Sequence, residues 1–490
     1  MATFELTRRR LLATGLAATT MALSNCSTQA RPDAAAKRRV AIVGGGLAGL
    51  SAAVALRDAH WDVVVLEARD RVGGRVHTVH APFTDGLHVE AGGESIDDNH
   101  DHIQALARRY GLSLAHRPAD KLDSAAFYRA GQRAVLTAVA NTDPGALSGY
   151  LAFSNGLITM AGDLDPAHPE RAAKAQEWDD KSLADFAATQ ALDPNAMLLV
   201  QSDYRGNYNA ELDQVSLLFV MQQSVVDQDL PESGVETMRI AAGNSALPEA
   251  MAKDLGAAVR RSSPVTKVEQ EPWGVRVHIG SEPGAASTVD AARLVLAVPP
   301  PVLRAVAFDP PLSAGVRDMI AELDLGHALK VSTQFTKRFW LAEGLSGFTI
   351  TDLPFGVAWD ATDSVPGSPL SPGVLTQFVT GDAARRGAAL GDRPRIASFQ
   401  QQLGVVYPEG AADTSGIATS TAWANEPYTR GGYAVYAPGQ LTRFWPLLRQ
   451  AHGPVWFAGE HTETLAGYME SAVRSGQRVA AAIGPAPRGS

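Results

Sequence analysis

Cysteine is almost missing from this chain: Cys26 is the only one among 490 residues, so no disulfide can form within it, and its stability has to come from packing and ligand binding. Basic blocks are missing too. The formal charge is −9, and no run of cations is long enough to neutralise a line of phosphates, which argues against a general nucleic-acid binder. The apolar stretch from Leu11 to Leu23 is too short to cross a bilayer stably. Internal repeats and low-complexity tracts are absent, which sets solenoid arrays aside. What is there is an ordinary globular composition, 45% hydrophobic and 19% charged, enough to bury a large core in two domains and suited to small-molecule partners.

The front of the chain is a separate element. Arg8, Arg9 and Arg10 stand directly ahead of the Leu11–Leu23 stretch and read as a bacterial twin-arginine export signal, with residues 1–36 as signal and linker. LSNC at 23–26 resembles a lipoprotein processing site, although Asn25 is an unusual neighbour for a lipidated cysteine. The expected location is periplasmic, or anchored through Cys26 on the outer side of the inner membrane.

A dinucleotide site follows. Val40 to Val43 is a short β-branched run, Gly44-Gly45-Gly46-Leu47-Ala48-Gly49 supplies G-x-G-x-x-G, and the apolar spacing from Leu47 to Leu56 is helical. A second strand, Asp62 to Leu66, ends at Glu67. In this βαβ context Gly44 permits the tight turn, Gly46 lets backbone reach a pyrophosphate, and Gly49 lets helix and strand pack closely. Glu67 would accept from ribose hydroxyls, and its charge disfavours a 2′-phosphate.

Ala68, Arg69 and the run Arg71-Val72-Gly73-Gly74-Arg75 follow the acid, and this extended pattern resembles the signature of FAD-containing amine oxidases. The tail VWFAGEHTETLAGYMESAVRSGQRVA is similar to the second flavin-binding signature of the same family. The resemblance, to the flavin monoamine oxidase and polyamine oxidase family, covers roughly 38–486 and is weakest from about 115 to 235. It implies non-covalent FAD, because Gly432 stands where some animal members carry a flavin-linked cysteine. It places Gly74 and Arg75 at the pyrophosphate, Gly92 and Gly93 near the flavin ring, Val265 at adenine, Gly459 and Glu460 at the ribitol, and Tyr468 and Met469 at the pyrimidine edge. The fold it implies is α/β, a Rossmann-like FAD-binding domain interleaved with an α+β substrate domain. The cofactor pieces would be 37–115, 239–318 and 418–486, and the substrate pieces 116–238 and 319–417. A capping box, Ser182 to Asp185, marks one helix of the substrate domain.

By the same resemblance Lys330 holds a water against the flavin, and Tyr433 and Tyr468 flank the amine as a pair of ring faces. A solvated edge strand is the other reading of Lys330, and core packing the other reading of each tyrosine. Glu94 and Asp97 are candidate substrate residues: Asp97 falls near an acid that some polyamine oxidases place in their tunnel, but the favoured reading is that Asp97 or Asp98 N-caps the helix running through Ile103 to Tyr110. Amino-acid oxidases of this fold carry an arginine after the paired glycines; here Glu94, Ser95 and Ile96 stand there, leaving Arg205 as a cation from elsewhere. His100 and His102 are too poorly spaced on a helix to share a metal, and no metal is expected. The expected reaction is oxidative deamination of a mono-, di- or polyamine by hydride transfer to flavin N5, with O2 giving H2O2. L-Amino-acid oxidation is the first alternative; a desaturase or a flavoprotein without turnover are the others.

Overall fold

The computed structural model describes residues 34–116, 122–227, 237–280, 287–362 and 371–487. The expected export signal and Cys26 lie outside these residues.

Val40, Ala41, Ile42 and Val43 are buried on both faces, which makes Arg39–Val43 the central strand of a five-stranded sheet. Asp62–Leu66 and then Val259–Arg260 lie on one side of it, Arg293–Leu296 and then Val455–Phe457 on the other, and every pairing is parallel. Strands distant in sequence thus meet in one sheet, and their carboxyl ends open on one crevice. Helix Leu47–Asp58 packs along helix Met469–Ile483. Gly476 allows the close approach: a Cβ there would stand 2.2 Å from the carbonyl oxygen of Ala48 and 2.8 Å from the nitrogen of Ala52.

A second sheet has seven strands, in the order Thr414–Ala422, Ala328–Phe335, Gly373–Thr380, Val357–Asp360, Thr349–Thr351, Ala126–Arg129 and Gln132–Val135. Thr414–Ala422 runs across 417–418, where the sequence reading ends a substrate piece, so that boundary cuts a continuous strand. Beneath the sheet Phe335, Phe339, Trp340 and Tyr407 pack edge to face. Helices Pro144–Ala161 and Pro194–Tyr208 pack on each other, and the second touches the strands Thr349–Thr351 and Gly373–Thr380. Ser182 and Asp185 form the reciprocal capping box of helix Leu183–Ala188.

Two local readings change. Ala328–Phe335 is no edge strand: all eight residues are buried, and it is paired on both sides. Neither Asp97 nor Asp98 caps the helix Asp101–Arg109; the N–H groups of His102 and Ile103 donate instead to Glu470, at 3.2 and 2.8 Å. That carboxylate arrives from the helix Met469–Ile483, a partner no local pattern announces.

Candidate active site

A cavity of about 1170 Å³ runs from the glycine loop, past Arg75, to the sheet of the second domain. At its first end the turn depends on Gly44, whose φ of +104° suits glycine, and whose Cβ would stand 2.6 Å from the Ala297 carbonyl oxygen. Gly46 differs: a Cβ there would meet only the Gly73 carbonyl oxygen at 3.9 Å, so its open side faces the cavity. Helix Leu47–Asp58 begins at Gly46 and helix Met469–Ile483 at Tyr468, and neither has a side-chain cap. Two helix starts with no side-chain cap among the described residues therefore border one cavity, a setting for anionic groups.

Glu67 is buried and accepts from the Gly45 nitrogen at 2.7 Å and the Arg69 nitrogen at 2.8 Å, which aims its carboxylate at the cavity beside Ala68, Ser263, Pro264 and Val265. Further in, Arg75 Nη1 donates to Glu460 Oε1 and to the Gly432 carbonyl, both at 2.7 Å. Glu460 also accepts from the nitrogens of Ala434 and Gly467. Burial alone would raise its carboxyl pKa, but Arg75, His461 and these bonds hold it below the ordinary value. The sequence reading gave Arg75 and Glu460 separate cofactor duties; the structure joins them in one ion pair. Beside them His461 is wholly buried, its ring nitrogens find no partner among the described residues, and burial pushes its pKa down to about 4. Open glycine backbone, two uncapped helix starts, a ribose-ready acid and an orphaned buried imidazole suit an elongated, diphosphate-bearing group such as FAD.

Toward the second domain Gly92, Gly93, Glu94, Tyr433, Tyr468 and Met469 line the cavity together. Tyr433 is fixed at both ends. Its hydroxyl donates to the Gly206 carbonyl, and its ring lies against Gly467, where an added Cβ would stand 3.2 Å from Tyr433 Cδ2. Tyr468 is braced from behind by His100, ring centroids 5.3 Å apart and edge to face. The two sequence-selected tyrosines therefore share one pocket.

Lys330 is 8% exposed and places Nζ 3.1 Å from the Glu90 carbonyl, 3.0 Å from the Gly92 carbonyl and 2.8 Å from Glu94 Oε2. All three ammonium protons have protein acceptors, so the water-holding role implied by resemblance would require one of these bonds to open. The Trp359 ring lies 5.0 Å from Nζ, and its indole N–H donates to Glu94 at 3.2 Å. Burial pushes the nearby Glu90 carboxyl up to about 7, although Asn244 and Thr78 donate to it.

Three sequence candidates fall elsewhere. Asp97 is fully buried with His100 behind Tyr468 and does not line the cavity: its backbone N–H donates to His100 Nδ1 at 2.9 Å, and burial lowers the imidazole pKa to about 4. Among the described residues no opening leads from Asp97 to the cavity, so the tunnel role has nothing to act through. His102 lies on the helix surface beside Gln477. Arg205 points away from the cavity and donates to Glu211 at 3.3 Å. Sequence reasoning missed Trp359, Tyr150 and Asp203, which also line the cavity. For Asp203 the helical spacing with Gly206 and Asn207 is visible in the sequence, but nothing local places that face at a cavity.

The model of flavin containing amine oxidoreductases matches residues 47–484. A Mycobacterium tuberculosis protein assigned as flavin-containing monoamine oxidase AofH is 30% identical over 458 residues, covering 91% of this chain and 96% of that one. An L-amino acid dehydrogenase of Synechocystis is 26% identical, covering 90% and 94%. Among solved structures, wild-type putrescine oxidase bound to putrescine superposes with a TM-score of 0.81 at 27% identity, covering 91% of this chain and 98% of that one. A match across nearly the whole chain, on a site whose shape suits the cofactor, makes this protein an FAD-dependent oxidoreductase of the flavin-containing amine oxidase family.

Proposed function

We propose that the protein oxidises amines without a carboxylate, primary or secondary, with O2 as acceptor and an imine that hydrolyses to a carbonyl compound. The charge lining the cavity carries this reading. Its arginines, Arg69, Arg75 and Arg430, all come from the cofactor-binding segments, and Arg69 and Arg75 are engaged by Glu426 and Glu460. The lysine at the substrate end is matched by Glu94, and Asp203 adds a further acid. Among the described residues no spare cation meets an amino-acid carboxylate at that end, whereas an ammonium entering from solvent is favoured.

Bound FAD supplies a two-electron acceptor for the carbon–nitrogen bond. The chain supplies position. Tyr433, held by Gly206 and Gly467, and Tyr468, held by His100, confine the amine between ring faces, and a confined reactant needs less ordering on the way to reaction. The experiment is anaerobic bleaching of the bound flavin by alkyl and aromatic amines against a set of L-amino acids. Amines are expected to bleach it; reduction by amino acids alone would overturn the reading. Tyr433→Ala should bleach about tenfold more slowly while retaining FAD, and unchanged kinetics would remove the tyrosine from this role.

The cofactor is held without a covalent bond. A Cβ on Gly432 would stand 2.4 Å from Asn209 Nδ2 and 2.8 Å from Ala328 Cβ. Gly432→Cys is therefore expected to lose about 1–3 kcal/mol of stability to overpacking, and the denatured wild-type chain is expected to carry no flavin fluorescence. A fluorescent band on a denaturing gel would contradict this.

A further inference from the structure

Beyond the tyrosines the chamber wall is largely apolar, built from side chains that include Leu136, Val139, Leu199, Phe348 and Ile350. Asp203 interrupts it. This half-buried residue sits on helix Pro194–Tyr208, one turn before Gly206, whose carbonyl holds the Tyr433 hydroxyl. Three residues of helix advance about 4.5 Å, so the carboxylate lies within reach of a short substrate whose reacting amine stands at Tyr433.

The partners of Asp203 are neutral. Tyr150 donates its hydroxyl to Oδ2 at 2.9 Å, and Asn207 donates Nδ2–H to Oδ1 at 3.0 Å. Burial pushes its carboxyl pKa up, these two bonds oppose the shift, and no cation among the described residues offsets it. Arg205, two residues on, is committed to Glu211. A carboxylate in an apolar wall without a counter-charge is costly, and a cation brought by a ligand would relieve that cost.

We propose that Asp203 is a subsite for a second cationic group on the substrate, an ammonium or a guanidinium separated by a short alkyl chain from the amine that is oxidised. This rests on the amine reading above and narrows it to dications. Glu94 does not serve this purpose, because Lys330 already neutralises it. Tyr150 and Asn207 orient the carboxylate without cancelling its charge.

The test compares kcat/KM for α,ω-diaminoalkanes, for an ω-guanidinoalkylamine and for n-alkylamines of equal chain length, in the wild type, Asp203→Asn and Tyr150→Phe. The wild type is expected to favour at least one class of dication over the monoamine by about tenfold or more, the scale of a charge-assisted bond. Asp203→Asn should bring that ratio toward one, and the class showing the drop identifies the cation. Tyr150→Phe, which keeps the charge, should retain the preference. Using ratios cancels general losses of folding or FAD content. An equal ratio in wild type and Asp203→Asn, or an equal collapse in Tyr150→Phe, would overturn the subsite. If monoamines are oxidised without any preference for dications, the subsite fails and the amine reading stands; if no amine is oxidised, both fall.

Discussion

Lys330→Met is expected to destabilise the protein by about 3–5 kcal/mol, the cost of leaving one member of a buried ion pair alone. Lys330 and Glu94 side chains are each 9% exposed, so little solvent is available to replace the lost partner. Two backbone carbonyls, of Glu90 and Gly92, lose their donor at the same time. The Gly92–Gly93 segment borders the cavity, so the damage should reach the site as slower flavin bleaching as well as a lower urea midpoint. A second substitution separates charge from shape. In Lys330→Met with Glu94→Gln the stranded charge is gone, and much of the stability should return. Equal losses in the single and double variants would mean that the pair contributes through packing alone.

The same cluster marks where the sequence stops being legible. The cofactor end was readable because its rules are local: glycine spacing, a strand ending in an acid and a helix start lie within Val40–Glu67, and the chain geometry leaves few alternatives. The tyrosines were selected through the family resemblance, and the contact between Gly467 and the Tyr433 ring adds a steric setting that the sequence alone does not give. Lys330 was found, but its acceptors lie at 90–94, far away in sequence, so its engagement could not be. Asp97 misled for the same reason. An acid before a helix looks like a cap or a tunnel residue until a distant carboxylate, Glu470, takes the helix N–H groups and burial closes the rest. Asp203 gained meaning only once helices and sheet had built an apolar chamber around it.

Gly476→Ala should produce a large loss far from any substrate contact. The added methyl would meet the Ala48 carbonyl oxygen at 2.2 Å, the Ala52 nitrogen at 2.8 Å and Ser51 Cβ at 3.0 Å. Two of these are backbone atoms of a buried helix that cannot swing aside, so helices Leu47–Asp58 and Met469–Ile483 would have to separate. Overpacking of this kind costs about 1–3 kcal/mol or more. Its functional reach is longer than its size suggests, because the uncapped starts of both helices border the cofactor cavity, and moving the helices apart displaces the donors at each start. The expected result is weaker FAD retention, read as a fall in flavin absorbance relative to protein after gel filtration, together with a lower melting temperature that added FAD partly restores. Gly484→Ala, where an added Cβ meets nothing within 4 Å, is the control at the end of the same helix. Its φ of +73° costs backbone strain but crowds no neighbour, so FAD retention should stay near the wild-type level. Equal FAD loss in the two variants would show that helix stability, not the spacing between the two helices, governs cofactor binding.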